Sequence, residues 1–205
     1  MNTLVIDRST DVQSVAWVAG SGLAAERTLE GLDCRSGDWT VRVRDFVAAA
    51  GAGAPPDRIV VGTGPGSFAG IRAALAFAQG YAIGSGCGVF GLPSPCACAA
   101  AEGPFAVVGD ARRGLFWIAL FDGRRLVRPV FQTTKEELDA CIPLSAPVRS
   151  PDDARIGAAL KEIFDARYCG VCRPSAGGLA RYFLETPSAL VAEPLPLYLN
   201  PAVRD

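Results

Sequence analysis

The stretch GTGPGSFAGIR, Gly62 to Arg72, places four glycines and one proline in its first nine residues and then continues into a nearly uninterrupted apolar run. Ser67 is a favourable N-cap residue, so the pattern predicts a tight turn followed by a helix that ends near Ile83. Glycine turns at helix starts also bind anions through backbone amides. Two interpretations stay open: a purely structural turn, and an anion or nucleotide contact through Gly64, Gly66 and Ser67.

Strand patterns occur in two similar sets, one before this turn and one in the later half of the chain. Each set forms a three-strand meander, and the predicted strands are 3–7, 12–18, 23–29, 105–110, 115–121 and 125–131. The repeat predicts an α/β protein with two similar lobes, in which a duplicated three-strand meander is followed by helices and parallel strands. Chance similarity of two hairpin meanders is the alternative. We predict lobes at 1–103 and 104–189 and a tail at 190–205.

Capping signals place the remaining elements. Asp38 as an N-cap predicts a helix to about Ala50, which Gly51 ends, and Thr134 with Glu137 forms a capping box for a helix to about Ala140. The other predicted elements are strands at 58–63, near 148 and at 168–172, and helices at 152–164 and 175–184.

Composition excludes several classes of site. The chain has no histidine, which rules out Ser/His/Asp and Cys/His nucleophile systems and HExxH zinc sites within it. A net charge of −1 with scattered arginines does not fit a dedicated nucleic-acid binder. With no secretory signal and no long apolar segment, we expect a soluble cytoplasmic protein without membrane contact.

Seven cysteines, an odd number, predict reduced thiols rather than a disulfide framework. The CGVC segment, Cys169 to Cys172, lies in an apolar run, so we interpret it as part of a buried strand. A zinc site shared with Cys96 and Cys98, and thiol redox chemistry, are the alternatives.

Five segments together resemble a known bacterial family: VIDRST, GTGPGSFAGIR, GDARRGLFWIALF, PSAGGLA and PLYLNP. The likeness is to the TsaB (YeaZ-like) family, involved in making threonylcarbamoyladenosine on tRNA. It implies a two-lobed actin-like ATPase (ribonuclease H-like) fold. It also implies a non-catalytic subunit that pairs with TsaD, the metal-bearing transferase, and with the ATPase TsaE. A glycoprotease label, given to such proteins by kinship with TsaD, is not supported by the residues here.

Asp7 and Asp110 close the first strands of the two meanders. In actin-like ATPases, the corresponding strand ends carry carboxylates that organise Mg²⁺ around phosphates, because this hard cation prefers oxygen ligands. The accompanying nucleotide-binding segments are not evident, and Arg8 and Arg112 occupy positions where small residues would suit a nucleotide better. We expect no cofactor and a remnant of an ancestral site; weak contact with ATP or ADP and Mg²⁺, and a working ATPase, are the alternatives.

The helix that comes after the glycine turn carries one charge, Arg72, across five turns. A helix that is apolar all round must be covered on two sides, which predicts a subunit interface unless the chain buries the helix itself. One stripe consists of Ile71, Leu75, Ala78 and Ala82. The other consists of Ala73, Ala76, Phe77 and Gly80, and the sequence does not decide which faces outward. The interface predicted from this helix and the preceding one comprises Trp39, Val43, Phe46, Val47, Ile71, Arg72, Ala73, Leu75, Ala76, Ala78 and Gly80.

These patterns and the resemblance predict a non-catalytic subunit that docks onto a TsaD-like transferase and activates it, together with a TsaE-like ATPase. The chain alone is expected to form a homodimer through the same helix and to meet tRNA only through the complex. The alternatives are a small actin-like ATPase or kinase that uses Asp7 and Asp110, and a homodimeric scaffold unrelated to tRNA.

Overall fold

The chain forms two compact units. The computed structural model describes residues 1–31, 37–99 and 102–199. The first unit comprises Met1–Ala97 and Pro174–Leu197. The second comprises Cys98–Arg173 and, near the C-terminus, Tyr198 and Leu199. This division differs from the predicted lobes in the segment 174–189, which belongs to the first unit because its helix packs on the first sheet. The last six residues of the predicted tail lie outside the described residues.

The first unit is built on a six-stranded mixed sheet. Its strands are β1 (Asn2–Asp7), β2 (Gln13–Ala19), β3 (Gly22–Leu29), β4 (Arg58–Gly62), β5 (Gly88–Leu92) and β12 (Val191–Ala192). Their order in the sheet is β12-β5-β4-β1-β2-β3. Strand β1 pairs antiparallel with β2 and parallel with β4, which pairs parallel with β5. Leu4, Val5 and Ile6 are fully buried, as expected for a central strand covered on both faces.

Three helices accompany this sheet: α1 (Asp38–Ala50), α2 (Phe68–Ser85) and α4 (Ala176–Glu185). Ser67 caps α2 as predicted, because its hydroxyl accepts a hydrogen bond from the amide of Gly70 at 3.2 Å. Gly86, in the left-handed conformation, ends the helix. Helix α1 has Gly37 rather than Asp38 as its N-cap: Asp38 is its first residue, where the carboxylate still favours the positive end of the helix dipole.

The start of α4 is held by side chains of the meander. The amide of Ala176 donates to the hydroxyl of Ser14 at 2.8 Å, and the amide of Gly177 donates to the carboxylate of Glu26 at 3.0 Å. A Cβ at position 177 would overlap that carboxylate, so the glycine permits the contact. Three side chains therefore bind the backbone amides at the start of α4, which the motif PSAGGLA marks in the sequence: Ser14, Glu26 and the N-cap Ser175.

The second unit repeats the sheet arrangement of the first. Its strands are β6 (Pro104–Arg112), β7 (Leu115–Asp122), β8 (Arg125–Leu126), β9 (Phe131–Thr133), β10 (Val148–Ser150) and β11 (Tyr168–Val171). The order β11-β10-β6-β7-β8 matches β5-β4-β1-β2-β3, with the same antiparallel meander and parallel neighbours. Helix α3 (Asp153–Phe164) connects β10 to β11. The duplicated meander with helices and parallel strands is therefore confirmed.

Two predictions for the second unit are wrong. The single strand expected at 125–131 is divided into β8 and β9, and Pro129, which cannot donate a ladder hydrogen bond, lies between them. The helix expected at 134–140 is a series of turns that ends at Pro143. Glu137 accepts a hydrogen bond from the hydroxyl of Thr133, at 3.2 Å, and seven residues are too few to form a helix without strong packing.

Strand β11 is half exposed rather than buried: Cys169 is exposed, whereas Cys172, just after the strand, is buried. Among the described residues, no helix is both long and apolar enough to cross a membrane.

Candidate functional site

The glycine turn packs against the loop that comes after β1. The amide of Ser67 donates to the carbonyl of Ser9 at 2.7 Å, and the amide of Gly64 donates to the hydroxyl of Ser94 at 3.1 Å. A Cβ at Gly66 would overlap the carbonyl of Ser9. These contacts account for the turn as a structural element, and they occupy amides that an anion would need. An anion contact through Gly64, Gly66 and Ser67 stays a prediction.

Asp7 lies at the end of β1, beneath this turn, and is fully buried. One carboxylate oxygen, Oδ1, accepts hydrogen bonds from the amide and the hydroxyl of Ser9, at 3.0 and 2.7 Å. The other, Oδ2, has no hydrogen-bond partner in the described parts of the chain and lies against the backbone of Gly62. Burial raises the pKa of Asp7, while the hydrogen bonds from Ser9 lower it in part. The Asp7 carboxylate therefore acts as a hydrogen-bond acceptor inside the first unit.

Asp110 ends the equivalent stretch of β6 in the second unit but has different neighbours. Its carboxylate forms ion pairs with Arg112 at 3.3 Å and with Arg155 at 3.5 Å, and Oδ1 also accepts from the amide of Arg112 at 2.7 Å. The amide of Asp110 donates to Asp152 at 2.9 Å. The guanidinium groups of Arg112 and Arg155 therefore neutralise the negative charge of Asp110 that would otherwise attract a metal ion.

The predicted interface residues divide into two groups according to where the structure places them. The first group is buried in the core of the first unit and consists of Trp39, Val43, Phe46, Val47, Ile71, Leu75 and Ala78. The second group is exposed or half-buried and consists of Arg72, Ala73, Ala76 and Gly80. The stripe through Ile71, Leu75 and Ala78 therefore faces inward, which settles the choice that the sequence left open.

The outer face of α2 also contains two large apolar side chains that the sequence analysis missed. Phe68 is 57% exposed and Ile83 is 88% exposed, and the guanidinium of Arg72 lies 4.9 Å from the ring of Phe68. A spacing of four residues from Phe68 through Arg72 and Ala76 to Gly80 marks this stripe in the sequence. We call the exposed stripe of Phe68, Arg72, Ala76, Gly80 and Ile83 the α2 outer face.

A groove of about 460 Å³ lies beside the α2 outer face, between α1 and α2. Its lining is mostly apolar and comprises Arg8, Trp39, Thr40, Ala73, Ala76, Phe77, Gly80 and Tyr81. The guanidinium of Arg8 lies 4.1 Å from the ring of Trp39, and that ring meets Phe77 edge-on at 5.2 Å between centroids. The groove can receive an apolar or aromatic side chain from a second molecule.

The cysteines give no support to a metal or redox site. Within 1–31, 37–99 and 102–199, no three Cys, Asp or Glu residues lie close enough to hold a metal ion. The zinc site considered from Cys96, Cys98, Cys169 and Cys172 is therefore wrong for the described chain. Burial raises the pKa of the Cys96 thiol to about 12, so this thiol stays protonated and unreactive near neutral pH.

Sequence comparison relates this chain to two groups of proteins. The family model of TsaD, tRNA N6-adenosine threonylcarbamoyltransferase, matches residues 43–141. An uncharacterized protein of Mycobacterium tuberculosis is 34% identical over 148 residues, which are 70% of this chain and 64% of the relative. A Mycobacterium bovis protein matches with the same figures. The chain thus spans less than two thirds of the length of these curated relatives.

Two solved structures from Pseudomonas aeruginosa share the fold over almost their whole length. YeaZ superposes with a TM-score of 0.75 at 22% identity, covering 97% of this chain and 99% of that chain. An uncharacterized protein with similarity to peptidase YeaZ gives a TM-score of 0.75 at 21% identity with the same coverage.

Two units with one repeated sheet order, each with a carboxylate near the end of its first strand, define an α/β protein of the actin-like (ribonuclease H-like) class. This confirms the predicted fold class. Within that class the fold is similar to that of YeaZ, which covers 97% of this chain at a TM-score of 0.75, and the TsaD family model matches residues 43–141. The resemblance drawn from the sequence motifs is confirmed at this level.

Proposed function

We propose that this protein is a non-catalytic subunit of the machinery that forms threonylcarbamoyladenosine on tRNA, and that it docks onto a TsaD-like transferase and activates it. The α2 outer face is the observation that carries the proposal. The YeaZ-like fold and the TsaD family match, which includes most of α1 and all of α2, support it. The transferred group, the metal and the acceptor tRNA are all contributed by other members of the complex.

The physical case for docking rests on the surface that an isolated subunit would expose. Phe68 and Ile83 place apolar surface in water at both ends of α2, and the helix carries only one charge, Arg72, between them. Small residues at Ala76 and Gly80 let a second helix approach the backbone closely. Large exposed apolar side chains on a helix with one charge mark a protein interface, and the adjacent groove offers a pocket for an anchoring side chain.

The two strand-end carboxylates support a role without catalysis. Asp7 is enclosed by the glycine turn and the loop after β1, while Asp110 is paired with two arginines. Neither carboxylate is positioned as a free base or as an open oxygen ligand. We therefore propose no cofactor for this subunit, and contact with a TsaE-like ATPase and with tRNA only within the complex.

Without its partner, the protein covers the α2 outer face by pairing with a second copy of itself. A two-fold arrangement places the same patch of both copies in one interface, which suits a face that is apolar and nearly uncharged. Homodimer and heterocomplex then compete for one surface, so the transferase must displace the second copy.

The test is binding of purified protein to the TsaD-like transferase of the same cell, measured by calorimetry and light scattering. Ala76→Glu places a charge in the exposed face and should abolish binding and dimerisation while the protein stays folded, with the circular dichroism spectrum of wild type. Ala158→Glu, at an exposed alanine of α3, is the matched control and should bind normally. Leu75 is only 4% exposed, so Leu75→Glu buries an unpaired carboxylate and should unfold the unit. Normal binding by Ala76→Glu protein would refute docking through this face.

A further inference from the structure

The buried carboxylate of Asp7 is connected by short contacts to both helices that flank the groove. Its Oδ1 accepts two hydrogen bonds from Ser9, from the hydroxyl at 2.7 Å and from the amide at 3.0 Å. These bonds fix the backbone of the loop that comes after β1. Because Asp7 and Ser9 are 0% and 2% exposed, water does not replace them if one partner is lost.

This loop in turn sets the start of α2. The carbonyl of Ser9 accepts the hydrogen bond of the Ser67 amide at 2.7 Å, and Ser67 is the residue that caps the helix. The carbonyl of Arg8 lies directly against Gly70 in the first turn, where a Cβ would overlap it. The first turn of α2 therefore rests on two consecutive carbonyl groups of the loop.

The same loop reaches α1 through a side chain. Arg8 is 1% exposed, and its guanidinium lies 4.1 Å from the ring of Trp39, which is buried between α1 and the core. Arg8 and Trp39 both line the groove. A shift of the loop would thus move the start of α2 and the floor of the groove together.

We propose that Asp7 is a positioning residue for the docking surface: through Ser9 and the backbone of Arg8 it holds the start of α2 and the side chain under the groove in the geometry that the partner meets. Only the expected effect on transferase binding rests on the proposed function; the expected effect on the start of α2 does not. It assigns the strand-end carboxylate a role inside the protein, as a hydrogen-bond acceptor, in place of a ligand for metal or nucleotide.

Two substitutions at one position separate these roles. Asparagine keeps an oxygen that accepts both hydrogen bonds from Ser9, whereas alanine keeps none. Asp7→Ala should raise amide hydrogen exchange in the segment 64–72 at least tenfold and weaken transferase binding at least tenfold. Asp7→Asn should leave both within about twofold. A metal or nucleotide ligand would instead be lost in both variants, because the carboxylate charge is gone in each.

A matched pair of serines controls for general loss of stability. Ser9→Ala removes a buried hydroxyl that donates to Asp7, and Ser14→Ala removes one that accepts from the start of α4. The two are equally buried, at 2% and 1%. Ser9→Ala should raise exchange at the start of α2 and weaken binding, whereas Ser14→Ala should raise exchange at the start of α4 and leave binding unchanged.

The outcomes are decisive in both directions. The proposal is overturned if Asp7→Asn loses binding as Asp7→Ala does, or if Ser9→Ala and Ser14→Ala have the same exchange pattern. If Asp7→Ala protein does not fold, the serine pair decides. If wild-type protein fails to bind the transferase, the proposed function fails, and the exchange measurements still test the positioning role by themselves.

Discussion

The two strand-end aspartates occupy equivalent places in two units of the same topology, yet their surroundings differ in almost every respect. Asp7 is fully buried, bonded through one oxygen to Ser9, and lacks a hydrogen-bond partner for the other within the described residues. Asp110 is partly open and ion-paired to Arg112 and Arg155. Equivalent position in a fold therefore does not imply equivalent chemistry.

The difference arises from the segments next to each strand end. In the first unit the chain adds α1, the glycine turn and α2 after the meander, and the turn closes over the end of β1. In the second unit a series of turns takes the place of α1, and α3 takes the place of α2 between the two parallel strands. Strand β6 ends in a hairpin in which Arg112 and Arg113 have positive φ angles of 69° and 54°. The carboxylate at the end of β1 is enclosed by packed backbone, whereas the carboxylate near the end of β6 is neutralised by two arginines.

The largest expected effect tests the sealed strand end. Gly70→Ala should destabilise the protein by about 2 kcal/mol or more, because the new Cβ overlaps the carbonyl of Arg8. Gly84→Ala is the control in the same helix: a Cβ there meets nothing within 4 Å, so the higher helix propensity of alanine should stabilise by up to about 1 kcal/mol. Urea unfolding of both variants measures the contrast, and equal effects would contradict the tight packing of the turn.

The hairpin of the second unit should respond more mildly to the same change. Gly114 has a φ of 77°, and a Cβ there meets nothing within 4 Å. Gly114→Ala therefore costs only the left-handed backbone strain, about 1 kcal/mol. A loss as large as that of Gly70→Ala in the same unfolding assay would show that this hairpin is as tightly enclosed as the glycine turn.

The pH dependence of stability should separate the two aspartates next. Burial raises the pKa of Asp7 in the folded protein above its ordinary value of 3.8. Its contribution to stability is therefore complete below that value and is lost as the pH rises through the folded pKa. As the pH rises above about 4, Asp7→Asn should gain in melting temperature relative to wild type. A difference that stays constant over this range would contradict the burial of an ionisable group.

The smallest expected effect is that of Asp110→Asn. Its arginine partners are 68% and 44% exposed, and exposed ion pairs contribute about 0.5 kcal/mol or less. The loss should shrink further in about 1 M salt, where screening weakens the pairs that wild type retains. Guanidinium chloride would mask this difference, so urea unfolding at two salt concentrations is the measurement. A loss that is large and independent of salt would place Asp110 in a buried network like that of Asp7.

Local patterns in the sequence predicted the elements that local physics determines. Ser67 caps α2 as predicted, and Ser175, predicted as the first residue of α4, is its N-cap; each hydroxyl accepts from the amide three residues on. The helix predicted at 134–140 is wrong because Glu137 of the capping box instead accepts a hydrogen bond from the hydroxyl of Thr133. A helix of seven residues before Pro143 would also need strong packing to form. The site was predicted less well, since the inward and outward stripes of α2 are both apolar.

By itself, the sequence determined the repeated meander, the turn-and-helix motif and the lack of histidine chemistry, because strand alternation, caps and composition act over a few residues. Only the tertiary structure decided that Ile71 and Leu75 face inward while Ala76 faces outward, and that Asp7 is sealed whereas Asp110 is paired. These outcomes depend on contacts between segments far apart in the chain, such as Ser9 with Ser67 and Asp110 with Arg155. Because α2 has no polar face, its sequence does not show which stripe is buried. Packing against the sheet decides that the stripe through Ile71 and Leu75 faces inward.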